Sequence, residues 1–138
     1  MTTREEIVAE ARKWLGTPYR AQARMLGVGV DCVNLVNEVL CACGAHERRE
    51  LPVYRARPNG TLQDQVGQFL ARIPLIEADT GDVLLFKHPT MGPSHLALLT
   101  SKTTIIHAYM TNRKVIEHSI DDRWRKMIAA AFRASGVK

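Results

Sequence analysis

Between Asp31 and Gly44 the chain carries an unbroken apolar stripe: Cys32, Leu35, Val36, Val39, Leu40 and Cys43 recur at intervals of three and four residues. That spacing predicts a helix buried along one face. Asp31 stands at the N-cap position, where a carboxylate can accept from the free amides of the first turn. Gly44 stands just past the end, where a left-handed residue closes the last turn. A helix with both ends marked and one apolar face needs a surface to pack on, which limits the folds open to the chain.

A second helix is expected upstream, from Glu5 to Leu15, with Ile7, Val8, Ala11, Trp14 and Leu15 at helical spacing and Thr3 with Glu6 as a capping box. Gly16-Thr17-Pro18 stops it, because proline disfavours a helical residue before it and lacks an amide proton. A loop from Tyr19 to Val30 follows. The segment from His46 to Gly60, with its prolines and arginines, reads as an irregular surface loop, and a short helix from Leu62 to Leu70 is capped by Thr61. After Pro74 the texture becomes β-rich, with strands expected over Asp82 to Lys87, His95 to Thr100, Thr104 to Tyr109 and Lys114 to Ile120. The run from Met127 to Phe132 is a further strand candidate despite its alanines. Helices first and an antiparallel meander second make an α+β domain, with the N-terminal helices packed on the sheet.

At 138 residues and 46% hydrophobic content, one core and one domain over residues 1–138 are expected. No run of about 18 apolar residues occurs, and the opening Met1-Thr2-Thr3-Arg4-Glu5-Glu6 is charged where a secretion signal turns apolar. Synthesis in the cytoplasm without a signal peptide is therefore expected. A substrate outside the cell would have to be reached through a larger assembly or lysis. The formal charge of +5 is carried in part by Arg48, Arg49, Arg55 and Arg57 and by Arg123, Arg125 and Lys126. Without interleaved aromatics to stack on bases, these read as solvated basic faces, not a nucleic-acid surface.

Three cysteines, Cys32, Cys41 and Cys43, are an odd number lying too close together to staple distant loops, so Cys41 and Cys43 read as small packing residues. Cys32 is different. A thiol in the first turn of a helix meets unpaired amides and the positive end of the macrodipole, and both stabilise a thiolate. An ordinary buried cysteine fits the same position.

A thiolate nucleophile needs an imidazole partner, and the strands offer His95 and His107. If their two strands form a hairpin whose odd-numbered loop centres on Ser101, His95 and His107 become cross-strand neighbours on one face. An even loop such as Ser101-Lys102 puts them on opposite faces. In the paired arrangement His95 serves as base and His107 orients it, as a third triad member does. A zinc site from Cys32, His95 and His107 uses common ligand types, but no closely spaced ligand pair accompanies them. His46, His88 and His118 read as surface residues, His88 being the nearest to a site role.

Leu15-Gly16-Thr17-Pro18-Tyr19-Arg20, Asp31-Cys32 at a helix start, Ser94-His95-Leu96-Ala97-Leu98-Leu99 and Ile106-His107-Ala108 occur in that order, and together they resemble the NlpC/P60 family over residues 11–109. The resemblance implies a papain-like cysteine peptidase domain, without metal or cofactor. It implies cleavage of bacterial cell-wall stem peptides, typically between γ-linked D-glutamate and diaminopimelate. By the same resemblance Cys32 is the nucleophile, His95 the general base and His107 its orienter. Tyr19 is the tyrosine beside the nucleophile that assists the oxyanion, and Asp31 meets the free amine of the stem. The short length, the expected lack of a signal and the closing run from Trp124 to Arg133 are most similar to the subgroup found in phage tails and gene transfer agents. That subgroup implies tail or tail-like assembly proteins as partners and action in the periplasm or wall. One departure is plain: where the family usually reads Asp-Cys-Ser-Gly, this chain has Asp31-Cys32-Val33-Asn34. The serine that helps hold the substrate amine is missing, and Asn34 is expected to reshape the approach to the sulfur. Two alternative readings stay open: a thiol amidase or acyltransferase on another amide, and a tail-tip structural protein that kept the fold without turnover.

Overall fold

The computed structural model describes residues 2–45, 62–88 and 92–137. Its first helix, α1 (Arg4–Arg12), is capped by Thr3, whose hydroxyl accepts from the Glu6 amide at 3.1 Å. It buries Ile7, Val8 and Ala11. Gly16 then takes a φ of 83°, and residues 17–19 run beside a later strand. The loop expected over Tyr19 to Val30 contains a small ribbon, β1 (Arg24–Met25) and β2 (Gly29–Val30). Helix α2 (Cys32–Ala42) follows with its buried stripe as the spacing requires, and α3 (Leu62–Phe69) comes next. The expected loop at His46 to Gly60, with its four arginines, and the Thr61 cap lie outside the described residues.

The remaining strands are β3 (Ala71–Ile73), β4 (Val83–His88), β5 (Gly92–Ser101), β6 (Thr104–Tyr109) and β7 (Lys114–Ser119). A short helix, α4 (Asp122–Lys126), and a last strand, β8 (Ile128–Arg133), complete the chain. Together they form one antiparallel six-stranded sheet in the order β3-β8-β4-β5-β6-β7. From β4 to β7 this is the expected meander. The last strand departs from it, returning to lie between β3 and β4, a central place where its run of three alanines fits between two packed faces. Neither β3 nor α4 carries enough periodicity to be read from the sequence.

Alternation along the strands separates two cores. Val83, Leu85, Leu96, Leu98, Ile106, Ala108 and Phe132 meet the helices, with Ile7, Leu35, Val39 and Leu40 opposite them. Leu84, Phe86, Ala97, Leu99, Ile105 and Ala131 face the other way and are covered by Ile120 and Trp124. Because β4 is buried on both faces, its sequence is a continuous apolar run and not an alternating one. Asp82, wholly buried at the start of β4, receives two hydrogen bonds from Arg133, at 3.0 and 2.9 Å, and an ion pair from Arg4 at 3.2 Å. One carboxylate thus joins α1, β4 and β8. All three cysteines are free thiols, with Cys41 and Cys43 partly buried. No described helix is long and apolar enough to cross a membrane.

Candidate active site

Asp31 builds the start of α2. One carboxylate oxygen accepts from the Asn34 amide at 2.9 Å, as an N-cap does, and the other accepts from the Gln22 amide at 2.7 Å. Asp31 is 2% exposed, so it ties the loop ahead of the helix to the helix itself. Asn34 acts in the same direction: its side-chain amide donates to the Ala23 carbonyl at 3.0 Å, and the residue is buried. Its side chain thereby secures the loop ahead of the helix.

Cys32, 9% exposed, sits in this first turn with its sulfur turned toward the sheet. Burial pushes its thiol up to about 12. The amides of Leu96, Val33 and Cys32 itself pull the other way, and the nearby Asp31 adds to the rise. The Leu96 amide lies on β5 one residue beyond His95, so the sulfur meets the sheet beside that histidine. Tyr19 is half-buried against the same core, its amide bonded to the Arg113 carbonyl at 2.8 Å. Its phenol is raised to about 12, mainly by burial and then by Cys32 and Asp31, and so stays a hydrogen-bond donor near the sulfur.

The histidines are ordered by the β5–β6 hairpin. Its loop is the even pair Lys102-Thr103, closed by Ser101 opposite Thr104, which alone would put His95 and His107 on opposite faces. A bulge between Leu99 and Ser101 changes the register to Leu98 opposite Ile106. The extra residue restores the parity. His95 and His107 therefore share a face as diagonal neighbours, not directly opposite as a loop centred on Ser101 requires, and His95 Nε2 lies 2.5 Å from His107 Nδ1.

Beyond them the structure adds a third ring. His118 on β7 stands opposite Ile105, again diagonal to His107, and its Nε2 is 2.8 Å from His107 Nε2. Its Nδ1 is 2.9 Å from the Ser119 carbonyl. The surface reading of His118 is thus corrected: the turn after β6, with Arg113 at a φ of 60°, sets a register that brings it inward. His88, by contrast, is exposed at the end of β4. His46 lies outside the described residues.

Trp124 of α4 covers the row. Its indole is edge-on to His107 at 5.1 Å between centroids and lies 6.1 Å from His95 and 5.4 Å from His118, with Phe86 and Tyr109 beside it. In this box burial lowers His95 to about 4, with His118 adding to the shift. His107, fully buried, falls to about 2, by burial first and then by its two histidine neighbours. Both rings are held neutral. His107 has both nitrogens engaged by other imidazoles, which leaves it no lone pair for a zinc ion in this arrangement. Nothing in the local sequence marks Trp124, whose role comes from the return of the chain over the outer face.

The family model described as NlpC/P60 matches residues 16–133. The chain belongs to the NlpC/P60 family. The NlpC/P60 chain is 25% identical over 136 residues to dipeptidyl-peptidase 6 of Lysinibacillus sphaericus, a match covering 96% of this chain and 44% of that protein. It therefore spans less than half the length of that relative. The NlpC/p60 domain of the peptidoglycan hydrolase SagA superposes with a TM-score of 0.67 at 25% identity, covering 94% of this chain and 97% of that one. RipD from Mycobacterium tuberculosis, a non-catalytic NlpC/p60 domain protein adapted to peptidoglycan binding, gives 0.62 at 14% identity over 94% and 95% of the two chains. That likeness is one of fold alone.

Proposed function

We propose that this NlpC/P60 domain is a cysteine endopeptidase that hydrolyses amide bonds in bacterial peptidoglycan stem peptides, of the γ-D-glutamyl-diaminopimelate type. The observation that carries the reading is the pairing of His95 with His107 on the strand against which the Cys32 sulfur packs. Asp31 supports the site by fixing the loop and the helix start.

In the resting site burial holds both the thiol and the imidazole neutral, so the nucleophile is made during the reaction. His95 takes the thiol proton as the sulfur attacks the carbonyl carbon. The oxyanion that forms is met by the Cys32 amide and the Tyr19 phenol. Collapse of this intermediate expels the stem amine, which leaves with the proton held by His95, and the acyl group remains on sulfur. Water then gives a proton to His95 and attacks the thioester, releasing the carboxylate and restoring the thiol.

The similarity of the closing run from Trp124 to Arg133 to phage-tail and gene-transfer-agent proteins supports delivery to the wall as part of such a particle. Incubating the purified protein with peptidoglycan and analysing the fragments by mass spectrometry tests the activity. New stem-peptide amines are expected, and Cys32→Ala should abolish them. Equal release by the variant would sink the peptidase reading. Binding to the wall with no cleavage by either protein would favour a non-catalytic role, and turnover of other amides alone would favour an amidase.

A further inference from the structure

We propose that His118 is a positioning residue, which sets the tautomer of His107 and through it that of His95, leaving Nδ1 of His95 as the proton acceptor for Cys32. The inference rests on the reading of His95 as the base and concerns a residue outside that triad.

The Ser119 carbonyl can only accept, so His118 Nδ1, 2.9 Å away, carries a proton. With a single proton on its ring, His118 then presents a lone pair at Nε2. The atom facing it at 2.8 Å is His107 Nε2, which must donate, and that leaves His107 Nδ1 as an acceptor. His95 Nε2, at 2.5 Å from that acceptor, must donate in turn. The only proton of neutral His95 is thereby placed on Nε2, and Nδ1 is bare. One backbone carbonyl orders three rings.

The packing holds this direction in place. The three rings descend diagonally across β5, β6 and β7, with planes turned by 64° and 62° between successive members, and Trp124 touches every one. Burial keeps His95 and His107 neutral, the condition under which one proton per ring is the right count. If the His118 ring is removed, His107 loses the acceptor that fixes its Nε2 proton. The opposite tautomer then becomes accessible, with His95 Nδ1 protonated and unable to serve as a base.

The test needs no wall substrate. Nitrogen-15 NMR of the imidazoles reads the tautomers, and iodoacetamide labelling at neutral pH, localised to Cys32 by tandem mass spectrometry, reads the base-assisted reactivity of the thiol. In the wild type, His95 is expected as the Nε2-protonated form. His118→Ala should show a mixture of tautomers at His95 and roughly tenfold slower labelling, a part of what a general base contributes. His118→Gln, whose carbonyl can again accept from His107, should recover the wild-type tautomer and most of the rate. A purely structural role would leave the His95 tautomer unchanged in His118→Ala and make glutamine no better than alanine. Either result overturns the proposal, as does Nδ1 protonation in the wild type. Because these readouts are independent of peptidoglycan, a failure of the cleavage assay with the tautomer shift intact would count against the proposed substrate and not against His118.

Discussion

At the residue scale, the Asn34 side chain does at close range what a glycine at that position could not. The Asp31 carboxylate spends both oxygens on amides of the chain, and the Asn34 side chain spends its donor on Ala23, so the first turn of α2 and the loop before it are one unit. The departure from Ser-Gly after Cys32 is thus partly accounted for: Asn34 substitutes a tether for a flexible position. Asn34→Ala removes that bond and leaves the Ala23 carbonyl only the longer bond from the Asp31 amide at 3.3 Å, which should cost about 1 kcal/mol. Urea denaturation measures the loss, and hydrogen exchange should rise over residues 20–30 ahead of the rest of the chain. The capping role of Asp31 was legible in the sequence because capping is local. The Asn34 contact crosses eleven residues of loop, and no periodicity reports such a distance.

At the element scale, the hairpin shows what a sequence can and cannot say about register. The β-rich runs located β5 and β6 well, since apolar residues line both faces of each strand. The shared face of His95 and His107 was one of two options, decided by loop length. Neither option included an even loop with its parity reversed by a bulge, a feature held by the hydroxyls of Thr100, Ser101 and Thr104 and unmarked by any glycine. His118 was missed for a related reason, because its register depends on the turn between β6 and β7. Helix α4 is a further unread element, and its contribution is Trp124. Removing the indole in Trp124→Ala empties the box over three imidazoles and should cost about 3–5 kcal/mol, the usual range for a large buried aromatic. Water entering there should also move the His95 and His107 titrations up toward 6.5, reversing the burial that depresses them. Thermal denaturation and NMR titration of the two rings measure these effects separately. A stable variant with unmoved titrations would show that burial comes from elsewhere.

Across the whole molecule, one sheet serves two different interiors. The helix-facing core is aliphatic and carries Cys32, while the outer core is aromatic and closes over the imidazoles, and β5 belongs to both. This division makes the site a source of acid sensitivity. An unfolded histidine takes a proton near pH 6.5, whereas in the folded chain His95 waits until about 4 and His107 until about 2. Below pH 6.5 the unfolded state therefore binds protons that the folded state refuses, and stability falls as the pH is lowered. With both rings refusing, the slope approaches about 2.7 kcal/mol per pH unit once the unfolded histidines are protonated. Carboxylates such as Asp79 and Glu117, whose values are lowered in the folded state, add their own loss only at more acidic pH. Denaturation free energies measured between pH 7 and 5 thus isolate the histidines. His95→Asn combined with His107→Asn should flatten that interval even if the variant is less stable at pH 7. A steep slope that survives the double substitution would place the acid sensitivity outside the site, and the neutral imidazole row would lose its thermodynamic support.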